Sequence, residues 1–237
     1  MHLRETGSTN DHTRELAEAG APHGTLVTAA SQRAGRGRQG RSWSAPAGSS
    51  LLMSLLLRSG SPGAVPPPSS PGLLPLIAAV AVCDVAGEDA LIKWPNDVVR
   101  AHPDPDRTLT KLAGILIEGR PQAGWAVLGI GLNVAVQIEE LPIELRAGAA
   151  TLGLGRDAIE PTLERLLVAL ALRLAAPTAQ TIDAWRSRDA LRGREIAWAS
   201  GRGRAQGIDA AGHLLVELDG GGQIALDAGE VHLRPVS

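Results

Sequence analysis

Residues 32–43, QRAGRGRQGRSW, set four arginines and three glycines between an apolar run and a tryptophan. Guanidinium groups are planar and bind carboxylate or phosphate through paired hydrogen bonds. Glycines let backbone amides approach the same anion and let the loop move. The stretch therefore has the chemistry of an anion clamp, or of a solvated basic turn. Gly35–Gly40 matches G-x-G-x-x-G literally, but a dinucleotide site needs a helix directly after the glycines and an acidic residue about 20 positions on. RSWSAPAGSS follows instead, and LLMSLLLR stands where the acid belongs. No G-x-x-x-x-G-K-[ST] occurs, so the usual phosphate loop is excluded.

Composition narrows the classes further. The 237 residues carry a net charge of −2, no Phe and no Tyr. That argues against a broad nucleic-acid-binding surface, which needs a basic face and stacking platforms. Cys83 is the single cysteine, so no intrachain disulfide forms and no cysteine cluster holds a metal. It reads as an inert core residue. The six histidines lack metal-ligand spacing. No secretory pattern or membrane-length apolar run is present, which implies the cytoplasm.

Elements must carry the loop. STNDHTRELAEAG reads as a helix that Ser8 or Thr9 can cap, with Leu16 inward and Gly20 at its end. GTLVTAASQ and SSLLMSLLLR read as strands on either side of the loop. Residues 59–72 form a Pro/Ser/Gly connection, and 73–86 a buried helix with Pro75 in its first turn. ALIKWPNDVV is strand, turn, strand, and AHPDPDRTLT an exposed loop. KLAGILIEGR and GWAVLGIGLNVAV are strands. Residues 161–176 form a helix with Pro161 at its first position, and TIDAWRSRDA another. From about 191 the pattern changes to short strands and glycine turns, with the GRGR at 201–204 placed in a hairpin turn. The expectation is an α+β fold: residues 1–190 form a mixed β-sheet domain flanked by helices, and 191–237 a small all-β, SH3-like barrel.

Five ordered segments resemble the biotin protein ligases: GSTN (7–10), SQRAGRGRQGRSW (31–43), KWPNDV (93–98), KLAGILIEG (111–119) and GIGLNV (129–134). The resemblance implies a two-step reaction. Biotin and MgATP give biotinyl-5′-AMP and pyrophosphate, and biotin then passes to a lysine of a biotin carboxyl carrier domain. It also implies site roles. Lys111 and Arg38 would be catalytic. Ser8, Thr9, Asn10, Gln32, Gly35, Arg36, Arg38, Lys111 and Gly114 would hold biotin. Arg36, Arg38, Arg41, Trp43, Asn96 and Asn133 would hold the nucleotide or adenylate. Gly114 and Gly131 would leave room for ligand, Lys93 would support phosphates, and Asp97 is a candidate ligand for substrate-borne Mg²⁺. Two anions must meet in the first step, so fixed cations aimed at the reacting groups answer their repulsion.

The motifs begin at residue 7, which leads to the expectation of no DNA-binding domain and no nucleic-acid partner. The resemblance leaves a homodimer through the central sheet open. The nearest alternative is a lipoate ligase or a lipoyl/octanoyl transferase. A non-enzymatic nucleic-acid binder is the alternative from another class.

Overall fold

Period-two alternation and branched side chains build the long strands at the centre of the molecule. The computed structural model describes residues 1–60, 72–102, 109–120, 124–227 and 231–233. In chain order it has β1 (His2–Leu3), α1 (Thr9–Glu18), β2 (Leu26–Ala29), β3 (Ser50–Arg58), α2 (Leu73–Ala86), β4 (Leu91–Lys93), β5 (Asp97–Ala101), β6 (Leu109–Arg120) and β7 (Trp125–Asn133). Then come α3 (Ile143–Arg146), α4 (Ile159–Ala175), α5 (Thr178–Arg186), β8 (Glu195–Trp198), β9 (Gly201–Ile208), β10 (Leu214–Glu217), β11 (Gln223–Leu226) and β12 (His232–Leu233). Most of the expected connections at 59–72 and 101–110 lies outside the described residues.

The first seven strands form one sheet in the order β1-β2-β3-β7-β6-β5-β4. Only the β1–β2 pair is parallel among these neighbours, so the sheet is mixed. One face carries α1, whose Ala17 packs with Leu56, Trp125 and Val127. The other carries α2 and α4 over Leu51, Met53, Ala113, Ile115, Leu128, Ile130 and Leu132. Helix α2 is apolar on every side and buried accordingly. Its Cys83 thiol is pushed up to about 12 by burial, which keeps it protonated and unreactive.

Four local expectations change. Ser8 occupies the cap position of α1 but makes no side-chain cap bond, and the Thr9 hydroxyl turns to Gln32. The buried face of α1 is Thr9, Asn10, Thr13 and Ala17, with Leu16 only half-buried. Pro161 is the third residue of α4, because a single turn at Arg156–Ala158 leads into the helix; an N–H is dispensable there too. Residues 201–204 open strand β9 rather than a turn. Gly203 and Ala205 face inward, and the outward arginines pair with carboxylates, Arg202 with Asp219 in the turn after β10 at 2.9 Å and Arg204 with Glu195 on β8 at 2.7 Å.

The last five strands form a separate antiparallel sheet, β11-β10-β9-β8-β12. Its two end strands, β11 and β12, are not paired with each other among the described residues. The two sheets share one core. Ile196, Ala205, Ile208, Leu214 and Val216 pack in the same cluster as Leu73, Leu76 and Trp94. The Trp94 indole N–H donates to the Gly212 carbonyl at 3.0 Å. Gly212, at φ 88°, allows this approach: a Cβ there would sit 3.0 Å from Leu76 Cδ1.

Candidate functional site

The site is built on a glycine floor. Side chains on one face of a strand recur every second residue. On the α1 face β6 presents Gly114, Leu116 and Glu118, while β7 presents Gly129 and Gly131. Gly114 pairs with Gly131 and Leu116 with Gly129. Next to them Leu52 pairs with Gly131 and Ser54 with Gly129. The missing side chains leave a trough along the sheet, and two other groups occupy its edges. A Cβ on Gly131 would lie 2.6 Å from Trp43 Cε2, and one on Gly114 would lie 3.1 Å from Trp43 Cζ3. A Cβ on Gly129 would overlap Asn10 Oδ1.

The arginine–glycine loop closes the trough from above. Its tip is a short turn in which the Gly37 N–H donates to the Arg41 carbonyl at 2.7 Å and the Trp43 N–H to the Gly35 carbonyl at 2.9 Å. Gln39 at φ 55° and Gly40 at φ 75° make the reversal. The Trp43 indole thereby lies on the glycines with Lys111 Nζ 5.7 Å from its ring centroid. Trp43 Nε1 is buried with no protein hydrogen-bond partner, which makes it a donor that a ligand acceptor would satisfy.

At one end of the cavity the charges gather. Lys111 Nζ lies 2.7 Å from Asp97 Oδ1. Arg38 Nη1 donates to Asn96 Oδ1 at 3.2 Å, and Asn96 Nδ2 donates to the Ile115 carbonyl at 2.9 Å. At the other end polar groups of α1 and the loop meet. Gln32 Oε1 accepts from the Thr9 N–H at 2.7 Å and from its hydroxyl at 3.0 Å. Ser54 Oγ lies 2.8 Å from Thr9 Oγ1 and 2.6 Å from Asn10 Oδ1.

Of the residues expected from sequence, Ser8, Thr9, Asn10, Gln32, Arg36, Arg38, Arg41, Trp43, Asn96, Lys111, Gly114 and Gly131 all line this one cavity. Gly35 is outside the lining and buried, with its carbonyl accepting from the Trp43 N–H. Asn133 lies outside the lining. It is 6 % exposed, accepts from the Ser50 hydroxyl at 3.2 Å and donates to the Ala150 carbonyl at 2.9 Å. Its amide pins β3 and β7 to the segment after α3. Lys93 sits half-buried on β4, also outside the lining. Arg36 lines the cavity, yet its guanidinium turns to two carboxylates, Asp11 at 2.5 Å and Glu118 at 2.7 Å. The cationic side chains at the charged end of the lining are Lys111, which Asp97 already pairs, with Arg38 and Arg41.

Sequence reasoning passed over Ser54, Glu118, Asp11 and Gly129. A signal was present for one of them: Gly114, Leu116 and Glu118 share a strand face by alternation, and a carboxylate on the covered face of a strand needs partners. Among the described residues no three His, Cys, Asp or Glu side chains gather into a metal site.

The chain is similar to known proteins over most of its length. Residues 4–134 match the model of the biotin/lipoate A/B protein ligase family, and residues 193–234 that of the biotin protein ligase C-terminal domain. The bifunctional ligase/repressor BirA of Bacillus subtilis is 39 % identical over 152 residues, covering 61 % of this chain and 43 % of the relative. The chain thus spans less than half the length of that relative. The biotin–[acetyl-CoA-carboxylase] ligase of Mycobacterium tuberculosis is 33 % identical over 252 residues, covering 98 % of this chain and 88 % of that protein. Among solved structures, a biotin protein ligase from Aquifex aeolicus in complex with biotin and ATP superposes with a TM-score of 0.77 at 26 % identity, covering 100 % of this chain and 98 % of that one.

Proposed function

The chain belongs to the biotin/lipoate A/B protein ligase family, and from that premise we propose that it is a biotin protein ligase acting in the cytoplasm. It joins biotin and ATP into biotinyl-5′-AMP and pyrophosphate, then transfers biotin to a lysine of a biotin carboxyl carrier domain. The observation that carries this reading is the division of one cavity into two ends. Neutral amide and hydroxyl groups of Thr9, Asn10 and Gln32 suit a cyclic urea, whose carbonyl and N–H groups all need partners once buried. Lys111, Arg38 and Arg41 suit a carboxylate meeting a phosphate. Trp43 lies between, over the glycine floor, where it can cover an alkyl tail.

In this reading Lys111 Nζ is shared between the biotin carboxylate and the α-phosphate and lowers the repulsion between them. Arg38 holds the same charge as it develops, and Asn96, which accepts from Arg38, orients it. Mg²⁺, when bound with ATP, neutralises the phosphates. The closed loop keeps water from the adenylate until a carrier lysine arrives. No nucleic-acid partner enters the proposal.

The test is pyrophosphate exchange into ATP with biotin, lipoate and octanoate supplied separately, followed by transfer to a purified carrier domain. Exchange and transfer with biotin alone support the reading. Exchange with lipoate or octanoate and not with biotin overturns it, as does tight nucleic-acid binding at moderate salt without any exchange.

A further inference from the structure

Glu118 lies outside the cavity lining, on β6, with its side chain 21 % exposed. Its two oxygens serve different partners. Oε1 accepts from Arg36 Nη2 at 2.7 Å, and Oε2 accepts from Asn10 Nδ2 at 2.9 Å. We propose that Glu118 is a positioning residue for the biotin end of the cavity: it fixes which end of the Asn10 amide faces which neighbour, and it ties the arginine–glycine loop to the sheet. The inference rests on the functional reading above.

Hydrogen-bond polarity sets the order of these contacts. An ionised carboxylate only accepts, and the Leu116 carbonyl, 3.5 Å from the same Asn10 nitrogen, also only accepts. Two acceptors on one side compel the NH₂ of Asn10 to face them. Its Oδ1 is then forced toward Ser54 and over Gly129, where only a glycine leaves room. Ser54 has one proton and a proton-free acceptor 2.6 Å away, so that proton goes to Asn10. With the Ser54 proton so placed, the Thr9 hydroxyl proton is shared between Ser54 Oγ at 2.8 Å and Gln32 Oε1 at 3.0 Å, while the Thr9 N–H holds Gln32 Oε1 at 2.7 Å and leaves Gln32 Nε2 as the donor end beside Gly35. Gln32 and Arg36 belong to the same loop. The contacts thus run from loop to α1 to β3, back to α1, across to β6 and again to the loop. Asn, Ser and Gln can each reverse their hydrogen bonds; Glu118 cannot.

Glu118→Gln keeps the shape and breaks this order. One amide offers one acceptor to two donors, so either Arg36 is released or Asn10 turns over and sets its NH₂ against Ser54. Both outcomes disturb the biotin end and leave Lys111, Asp97, Arg38 and Asn96 in place. The expected result is a rise of about tenfold in the KM and Kd for biotin, the scale of losing a charge-assisted hydrogen bond, with the KM for ATP changed less than about twofold. Glu118→Asp, which retains the charge, should recover part of the biotin affinity. Gly129→Ala, which crowds Asn10 without touching Glu118, should show the same selective loss. It keeps the idea testable if Glu118→Gln folds poorly by circular dichroism. Equal changes in both constants, or no change in either, for folded Glu118→Gln and Gly129→Ala would overturn the inference alone. A wild-type protein that uses lipoate and not biotin overturns the functional reading, and this inference with it.

Discussion

Lys111 brings one positive charge to a place where Asp97 already waits 2.7 Å away. The pair satisfies the ammonium before substrates arrive, and incoming anions must compete for it. Lys111→Ala therefore acts twice: it removes the cation and leaves the Asp97 carboxylate facing two further anions. The expected loss in biotin-dependent adenylate formation corresponds to about 3–4 kcal/mol of barrier, the range seen when one preorganised electrostatic group is deleted. Single-turnover pyrophosphate release would measure it, and a rate near that of the wild type would remove Lys111 from the mechanism. The residue type and its KLAGIL setting were legible in the sequence. Its partner was not, because the Asp97–Lys111 contact depends on how β5 and β6 pair, with an irregularity between Val98 and Val99. Asn133 shows the converse. Its motif suggested a ligand contact, whereas the fold gives both ends of its amide to Ser50 and Ala150.

At the scale of elements, the arginine–glycine loop was readable as a loop from composition, but its footing was not. Trp43 rests on Gly114 and Gly131, which meet only through the β6–β7 register. Alternation placed each glycine on a strand face without saying that the two faces coincide. The footing gives a prediction. Gly131→Ala would put a methyl group 2.6 Å from Trp43 Cε2, well inside contact distance, so the indole must lift and carry the loop with it. Adenylate should dissociate about tenfold faster, in line with a lost aromatic contact, as measured by chasing labelled adenylate; an unchanged dissociation rate would refute the footing. The loop also exposes Arg33, Arg36 and Arg41, all cleavage points for trypsin. Ligands that fill the cavity add contacts which the loop must break in order to open. Trypsin cleavage within residues 33–43 should slow by about tenfold with biotin and ATP present, and equal rates with and without them would show that the loop does not close on ligand.

At the scale of the whole molecule, the small C-terminal sheet was legible as strands and glycine turns, but its seam with the larger sheet was not. The seam is made by distant residues: Trp94 reaches Gly212, and the backbone of residues 188–190 pairs with the outer edge of β4 through Ile92. Asp189 lies in that seam. Its Oδ1 accepts from the Leu191 N–H at 2.8 Å, whereas Oδ2 is buried with no hydrogen-bond partner. Burial pushes its carboxyl up to about 6, against the opposing pull of the Leu191 and Arg192 amides and the Arg192 charge. An acid whose folded value is raised favours the native state below its unfolded value, near pH 4, and loses that contribution as pH climbs through the folded value. Asp189 therefore weakens the fold across the interval from about pH 4 to 6 and holds the cost above it, by an amount on the order of 1–3 kcal/mol. Asp189→Asn keeps the oxygen that Leu191 uses and cannot ionise. Its stability relative to the wild type should improve between pH 4.5 and pH 7.5 by that amount, read from urea unfolding midpoints at the two pH values. A difference that stays constant with pH would mean that the carboxylate gains solvent or a partner in solution and that the seam is looser than its packing indicates.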